Sequence, residues 1–197
     1  MLILCVSKRK KSMEVLFHFI FELVKIGVLA SIYAAILLFV FARINKSNSE
    51  SWFQKITANK KKFWFVSGAI ISILLFVWMF TYWGNHGLGD SARIPIGHGK
   101  EIEQINGNWS FISPNGHEYE MFTIQSFAVK DNFCVGETEQ NSYYIWNLET
   151  NDVETIKTLK EYQVKAENLN LPNLHEFKSF WDGYQKYWGG WKFWFLP

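Results

Sequence analysis

Four residues come nearest to a metal-ligand set: His86, Asp90, His98 and His117. Zinc frameworks place pairs of donors close enough to reach one ion from a single turn, and these spacings match none of them. No metal ligand and no cofactor is therefore assigned. Gly97-His98-Gly99-Lys100 has the glycines and lysine of a phosphate loop. A Walker A loop also needs glycine where Ile94 stands and Ser or Thr where Glu101 stands, so the match fails twice. Cys134 is a nucleophile by type, but it lies in an apolar, β-prone stretch, where a thiol is buried and inert. Carboxylates are plentiful, yet no spacing singles out an acid–base pair, and no catalytic residue is assigned. Asn108-Trp109-Ser110 satisfies a glycosylation sequon, which has meaning only on a eukaryotic secretory route.

The elements behind these residues divide the chain in two. Of its 197 residues, 1–83 carry eleven Lys/Arg and three Asp/Glu, and 84–197 carry nine and fifteen. A basic front and an acidic back point to a membrane-facing part followed by a separate domain. An apolar content of 49% excludes intrinsic disorder, and two cysteines exclude a disulfide scaffold. The acidic back lacks the clustered Lys/Arg that nucleic-acid phosphates require, so no nucleic-acid partner is expected.

Residues 26–42 contain no charge and lie between Lys25 and Arg43; residues 63–83 contain none and follow Lys60, Lys61 and Lys62. The first run covers about 25 Å and its apolar flanks carry it past a hydrocarbon core of roughly 30 Å, which the second run spans by itself. Trp64 at one end of the second run and Trp78, Tyr82 and Trp83 at the other suit the two membrane–water interfaces. The first run is longer than a signal-peptide core and has no small-x-small cleavage site after it, so it reads as a retained span. The expected divisions are a basic segment 1–13, a first span 14–44, a basic loop 45–62, a second span 63–83 and a domain 84–197.

Gly27, Ser31 and Ala35 recur at i, i+4, i+8, and Gly68 and Ser72 at i, i+4. Small residues at this spacing let helix backbones approach in lipid, as a hairpin seam or as a self-association face. Glu22 and Lys25 read as an i,i+3 pair near the end of the first span, with Lys25 snorkelling. The loop 43–62 is basic enough to be cytoplasmic, but Lys8, Arg9, Lys10 and Lys11 pull the other end inward as well. A biological start at Met13 resolves the conflict and leaves the C-terminal domain on the non-cytoplasmic side.

Beyond Gly84 the period becomes two. Asn106-Gly107 between β-prone runs reads as a type I′ hairpin turn. Ser113-Pro114-Asn115-Gly116 reads as a second turn and 148–152 as a third. Thr158 with Glu161 forms a capping box that opens a helix. Asn173 with Glu176 opens another, with Leu174, Phe177, Trp181, Tyr184 and Trp188 on one face as far as Gly189. One strand–turn–strand unit is too few for a propeller. The expected fold is membrane-anchored α+β: a hairpin of two transmembrane helices, then short antiparallel strands and two C-terminal helices. The aromatic C-terminus is read chiefly as core; its other reading makes Trp188, Trp191 and Trp194 a surface for a bilayer or a partner.

The functional expectation is a multi-pass membrane protein acting as a non-enzymatic accessory or binding module, in contact with lipid and with a membrane partner or a second copy. Two alternatives are a membrane-bound hydrolase using segment 84–100 and a small transporter or channel subunit. The span middles hold no ionisable group, which disfavours a transport path.

Overall fold

The computed structural model describes residues 2–45, 59–85, 91–114 and 122–197. They form two bodies: a helical one, within 1–84 and including Trp191–Pro197, and a sheet body, Asn85–Gly190.

In the helical body, α1 runs Leu2–Asn45 and α2 runs Lys60–Met79. Thus α1 is continuous through the expected boundary at residue 14. Asn59 opens α2, its side chain accepting the Lys62 N–H at 3.0 Å. The helix stops four residues before the expected end at 83. Thr81 turns its N–H and its hydroxyl back onto the Trp78 carbonyl, and the Gly84 N–H bonds to the Thr81 carbonyl. A side chain at Gly84 would collide with the Trp78 and Met79 carbonyls, so glycine permits this return.

The two helices pack along Ile26, Leu29, Ala30 and Ala34, all buried. This seam lies one position from the expected stripe. Gly27 and Ala35 are exposed, and a Cβ at Gly27 would meet nothing within 4 Å. One residue is a turn of about 100° round the helix, enough to take a side chain out of a contact. Gly68 does lie at the seam, where an added Cβ would stand 3.8 Å from that of Ala34. Ser31 and Ser72 are half-buried.

The sheet body holds seven antiparallel strands in chain order: β1 Ser91–Gly97, β2 Lys100–Ile105, β3 Trp109–Ile112, β4 Phe122–Lys130, β5 Phe133–Thr138, β6 Tyr143–Asn147 and β7 Val153–Ile156. Tight turns join β1 to β2 and β2 to β3. Asn106 and Gly107 both have positive φ, as a type I′ turn demands, and so do His98 and Gly99 between β1 and β2. Gly97–Lys100 is therefore hairpin geometry, without the helix start that a phosphate loop needs. Asn115 and Gly116 lie outside the described residues.

Alternation along β4–β7 feeds two cores. Phe127, Cys134, Tyr144 and Trp146 face one, with Ile94, Ile102, Ile112 and Phe180. Ala128, Val135 and Ile145 face the other, with Ile156, Tyr162, Ala166 and Leu171. The helix α3, Leu159–Leu169, covers the second core; Thr158 caps it by accepting the Glu161 N–H, and Asn170 closes it in the left-handed conformation. The Tyr162 hydroxyl donates to the Pro172 carbonyl at 2.6 Å.

The expected long helix after Pro172 is broken. Asn173 and Glu176 box a single 3-10 turn, Leu174–Glu176. Lys178 is extended and exchanges both backbone hydrogen bonds with Phe127 of β4. Ser179 then accepts the Asp182 N–H and starts α4, Phe180–Trp188. A second N-cap, three residues beyond the first turn, resets the chain and turns Phe180, Gly183 and Trp188 inward. Trp181, expected on the buried face, is exposed, and Tyr184 is half-buried. The short helix α5, Trp191–Phe195, belongs to the helical body.

Two substitutions test this packing. Gly136→Ala puts a Cβ onto the Ser126 carbonyl across the β4–β5 ladder. It is expected to cost about 2 kcal/mol or more in denaturant unfolding of the sheet body. The pair Ala34→Cys with Gly68→Cys is expected to form a disulfide under mild oxidation, because its Cβ spacing suits one. Gly27→Cys in place of Ala34→Cys should give none, as read by mass spectrometry of the joined peptides.

Candidate functional site

Of the four metal-type residues only His98 is described; His86, Asp90 and His117 lie outside the described residues. His98 sits in the β1–β2 turn with Nε2 3.2 Å from the Asn132 side-chain oxygen. Among the described residues no group of three or more His, Cys, Asp or Glu converges. Lys100 reaches the Pro114 carbonyl at 3.3 Å. Cys134 is fully buried with Sγ 3.8 Å from the Tyr144 hydroxyl, and burial pushes its thiol up from 9.0 to about 12. The Tyr144 hydroxyl rises for the same reason.

One carboxylate grouping escaped the sequence reading. Glu101 and Glu103 share a face of β2, opposite the buried Ile102, and Arg93 on β1 pairs with Glu101 at 3.3 Å. Burial first, then the neighbouring Glu101, raise the Glu103 carboxyl; Arg93 opposes them. The i,i+2 spacing on a strand was visible, but the register that sets Arg93 opposite Glu103 was not.

The larger feature is a cavity of about 600 Å³, a size typical of small-molecule sites. It opens because β4 is nine residues long while β3 pairs only with Phe122 and Thr123. Beyond them, Lys178 takes up the β4 backbone at Phe127. Ile94, Pro95 and Ile96 of β1 form one wall and Phe127 and Val129 of β4 another. Gly183 brings α4 against the Phe127 ring, where any Cβ would collide. Lys178, Lys186 and Glu176 supply the polar lining. The neighbouring Lys186 lowers the Lys178 pKa, while Asp182 and Glu176 oppose it.

Trp188 leaves the expected interaction surface. It is 7% exposed, and its indole N–H donates to the Arg93 carbonyl at 2.7 Å, tying α4 to β1. Trp191 and Trp194 are 64% and 70% exposed. Their helix, α5, rests on α1: the Tyr33 hydroxyl donates to the Phe195 carbonyl, and the Lys25 ammonium stands 4.8 Å from the Phe193 ring centre. Glu22, the expected partner of Lys25, is buried, with its carboxylate 4.0 Å from His18. Among the remaining residues expected at interfaces, the Trp64 indole N–H donates to the Ser31 carbonyl at 3.2 Å. Trp83 stacks on Trp78, Tyr82 meets Trp83 edge-on, and Arg43 covers the Phe39 ring. Lys60, Lys61 and Lys62 are exposed in the first turn of α2.

Comparison with protein-family models, curated proteins and solved structures found no match to this chain.

The buried thiol makes a pH prediction. The unfolded chain ionises Cys134 first, so its contribution is fully present below pH 9.0 and is lost as pH rises towards about 12. Over that window the wild type is expected to lose about 1.4 kcal/mol per pH unit more than Cys134→Ala. Denaturant melts across the alkaline range check it, and equal slopes would contradict it.

Proposed function

We propose that the chain is an integral membrane protein with two spans that presents the sheet body as a non-enzymatic accessory or binding module. The observation that carries this is the outward face of the helical body. In α2 only Met79 is buried, while Phe65, Val66, Ile70, Ile73, Leu74 and Val77 are exposed. Windows Leu16–Ile44 and Lys60–Met79 are long and apolar enough to cross a bilayer. A core helix of a water-soluble protein would bury one face, and the exposed patch here exceeds what soluble monomers tolerate.

The lysines support the same reading. A helix N-terminus disfavours cations, yet Lys60, Lys61 and Lys62 fill the first turn of α2. A basic turn at that place suits lipid phosphates and the cytoplasmic side, which supports a sheet body on the opposite side of the bilayer.

For the topology, Asn108→Cys offers an exposed thiol in the β2–β3 turn. In intact cells it is expected to react with a membrane-impermeant maleimide; reaction only after permeabilisation would reverse the orientation. For the role, crosslinking in native membranes followed by affinity capture should return a stoichiometric protein partner. Loss of a cellular phenotype on alanine substitution of His86, Asp90 and His98, with the partner still bound, would favour the hydrolase instead.

A further inference from the structure

We infer that α5 lies in the bilayer beside α1, with Trp191, Phe193, Trp194 and Phe195 among the lipid glycerol and upper acyl groups. The inference rests on the two-span reading and adds a third element to the lipid contact. Depth is the first ground. Ala34 stands at Gly68 and Phe41 at Phe63, so α1 and α2 run antiparallel. Nine residues back from Ala34 and nine on from Gly68 set Lys25 level with Val77, beside Trp78 in the last turn of α2. Both contacts of α5 fall at this end. The Lys25 ammonium stands 4.8 Å from the Phe193 ring centre, and the Tyr33 hydroxyl donates to the Phe195 carbonyl. Tyr33 lies seven residues beyond Ile26, where the uncharged run begins, about 10 Å along the helix axis. A helical side chain leans back towards its N-terminus, so Phe195 meets Tyr33 at a lesser depth, where hydrocarbon gives way to head groups.

The chemistry of α5 suits that depth. The only charge in residues 191–197 is Lys192, and all four rings of α5 are exposed. Trp78 and Trp83 are exposed at the same end of the helical body, and tryptophans gathered at one level mark a membrane–water interface. Short, irregular backbone is tolerated near hydrocarbon only where its polar groups are met. Here the Leu196 N–H bonds to the Lys192 carbonyl, and Tyr33 serves that of Phe195. The same bond gives the Tyr33 hydroxyl an acceptor within an apolar run. Continuity with the exposed apolar faces of α1 and α2 favours lipid over a protein partner as the cover for these rings.

The test uses the full chain in phosphatidylcholine nanodiscs, with Cys5→Ser leaving the buried Cys134 as the only native thiol. A nitroxide is attached at Trp194→Cys and, in a second variant, at Trp191→Cys. Reference labels sit at Ile70→Cys on the exposed face of α2 and at Asn108→Cys in the β2–β3 turn. Power-saturation electron paramagnetic resonance compares collisions with oxygen, which concentrates in acyl chains, and with a water-soluble nickel chelate. The oxygen-to-nickel ratio at both α5 positions is expected to lie above that at Asn108 and below that at Ile70. Near-UV circular dichroism checks that each labelled chain keeps the packed environment of Trp146. A ratio at either α5 position equal to that at Asn108, or a label that neither quencher reaches, would overturn the inference; the second result would place the rings against protein. An Ile70 label in lipid with α5 labels in water sinks this inference alone. An Ile70 label in water sinks the two-span reading, and this inference with it.

Discussion

Apolar side chains that the described residues leave exposed set the terms for the helical body. The helices α1 and α2 make a seam from four buried residues of α1 and the Gly68 approach, and leave many of their other described Leu, Ile, Val and Phe exposed. Each such side chain is worth about 1.5–3 kcal/mol when removed from water. Among the described residues nothing in the helical body covers these side chains fully, and an apolar surrounding would favour them. In hydrocarbon the backbone also has no water to bond, and two complete helices meet that demand within themselves.

The sheet body answers the opposite problem. Its strands β4–β7 are apolar on both faces, and the chain supplies its own covers, α4 on one side and α3 on the other. Trp146, Tyr144 and Tyr162 are fully buried and each brings a large apolar surface to a small domain. Two glycines make the close approaches possible: Gly136 passes under the Ser126 carbonyl, and Gly183 lets α4 settle on Phe127. The cavity is what remains where β3 ends early and Lys178 pairs only briefly with β4.

Local chemistry was legible in the sequence. Asn106-Gly107 formed the turn its positive-φ preference demands, and Thr158 with Glu161 opened the helix it marked. Two helices with long uncharged runs, a meander of antiparallel strands and helices at the C-terminus were read from run length, alternation and the turn and cap signals. What depends on contacts between distant residues was not. The seam fell on Ala34 rather than Ala35, because small-residue spacing recurs on neighbouring faces and only the partner helix chooses between them. Ser179 and Asp182 carried a second cap signal inside an apparently continuous helical stripe. The stripe hid it, and with it the bridge from Lys178 to Phe127. Trp188 reads the same whether it packs inside or faces out; the Arg93 carbonyl decided it. The cavity, assembled from three parts of the chain, left no local trace.

In the proposed reading the helical hairpin anchors and the acidic sheet body recognises a partner. Lipid as the solvent of α1 and α2 is the premise of the proposed anchoring, and extraction of native membranes with alkaline carbonate tests it most directly. The full chain is expected to stay in the pellet and to enter solution only with detergent. Release into the supernatant as a folded, monodisperse protein would contradict it.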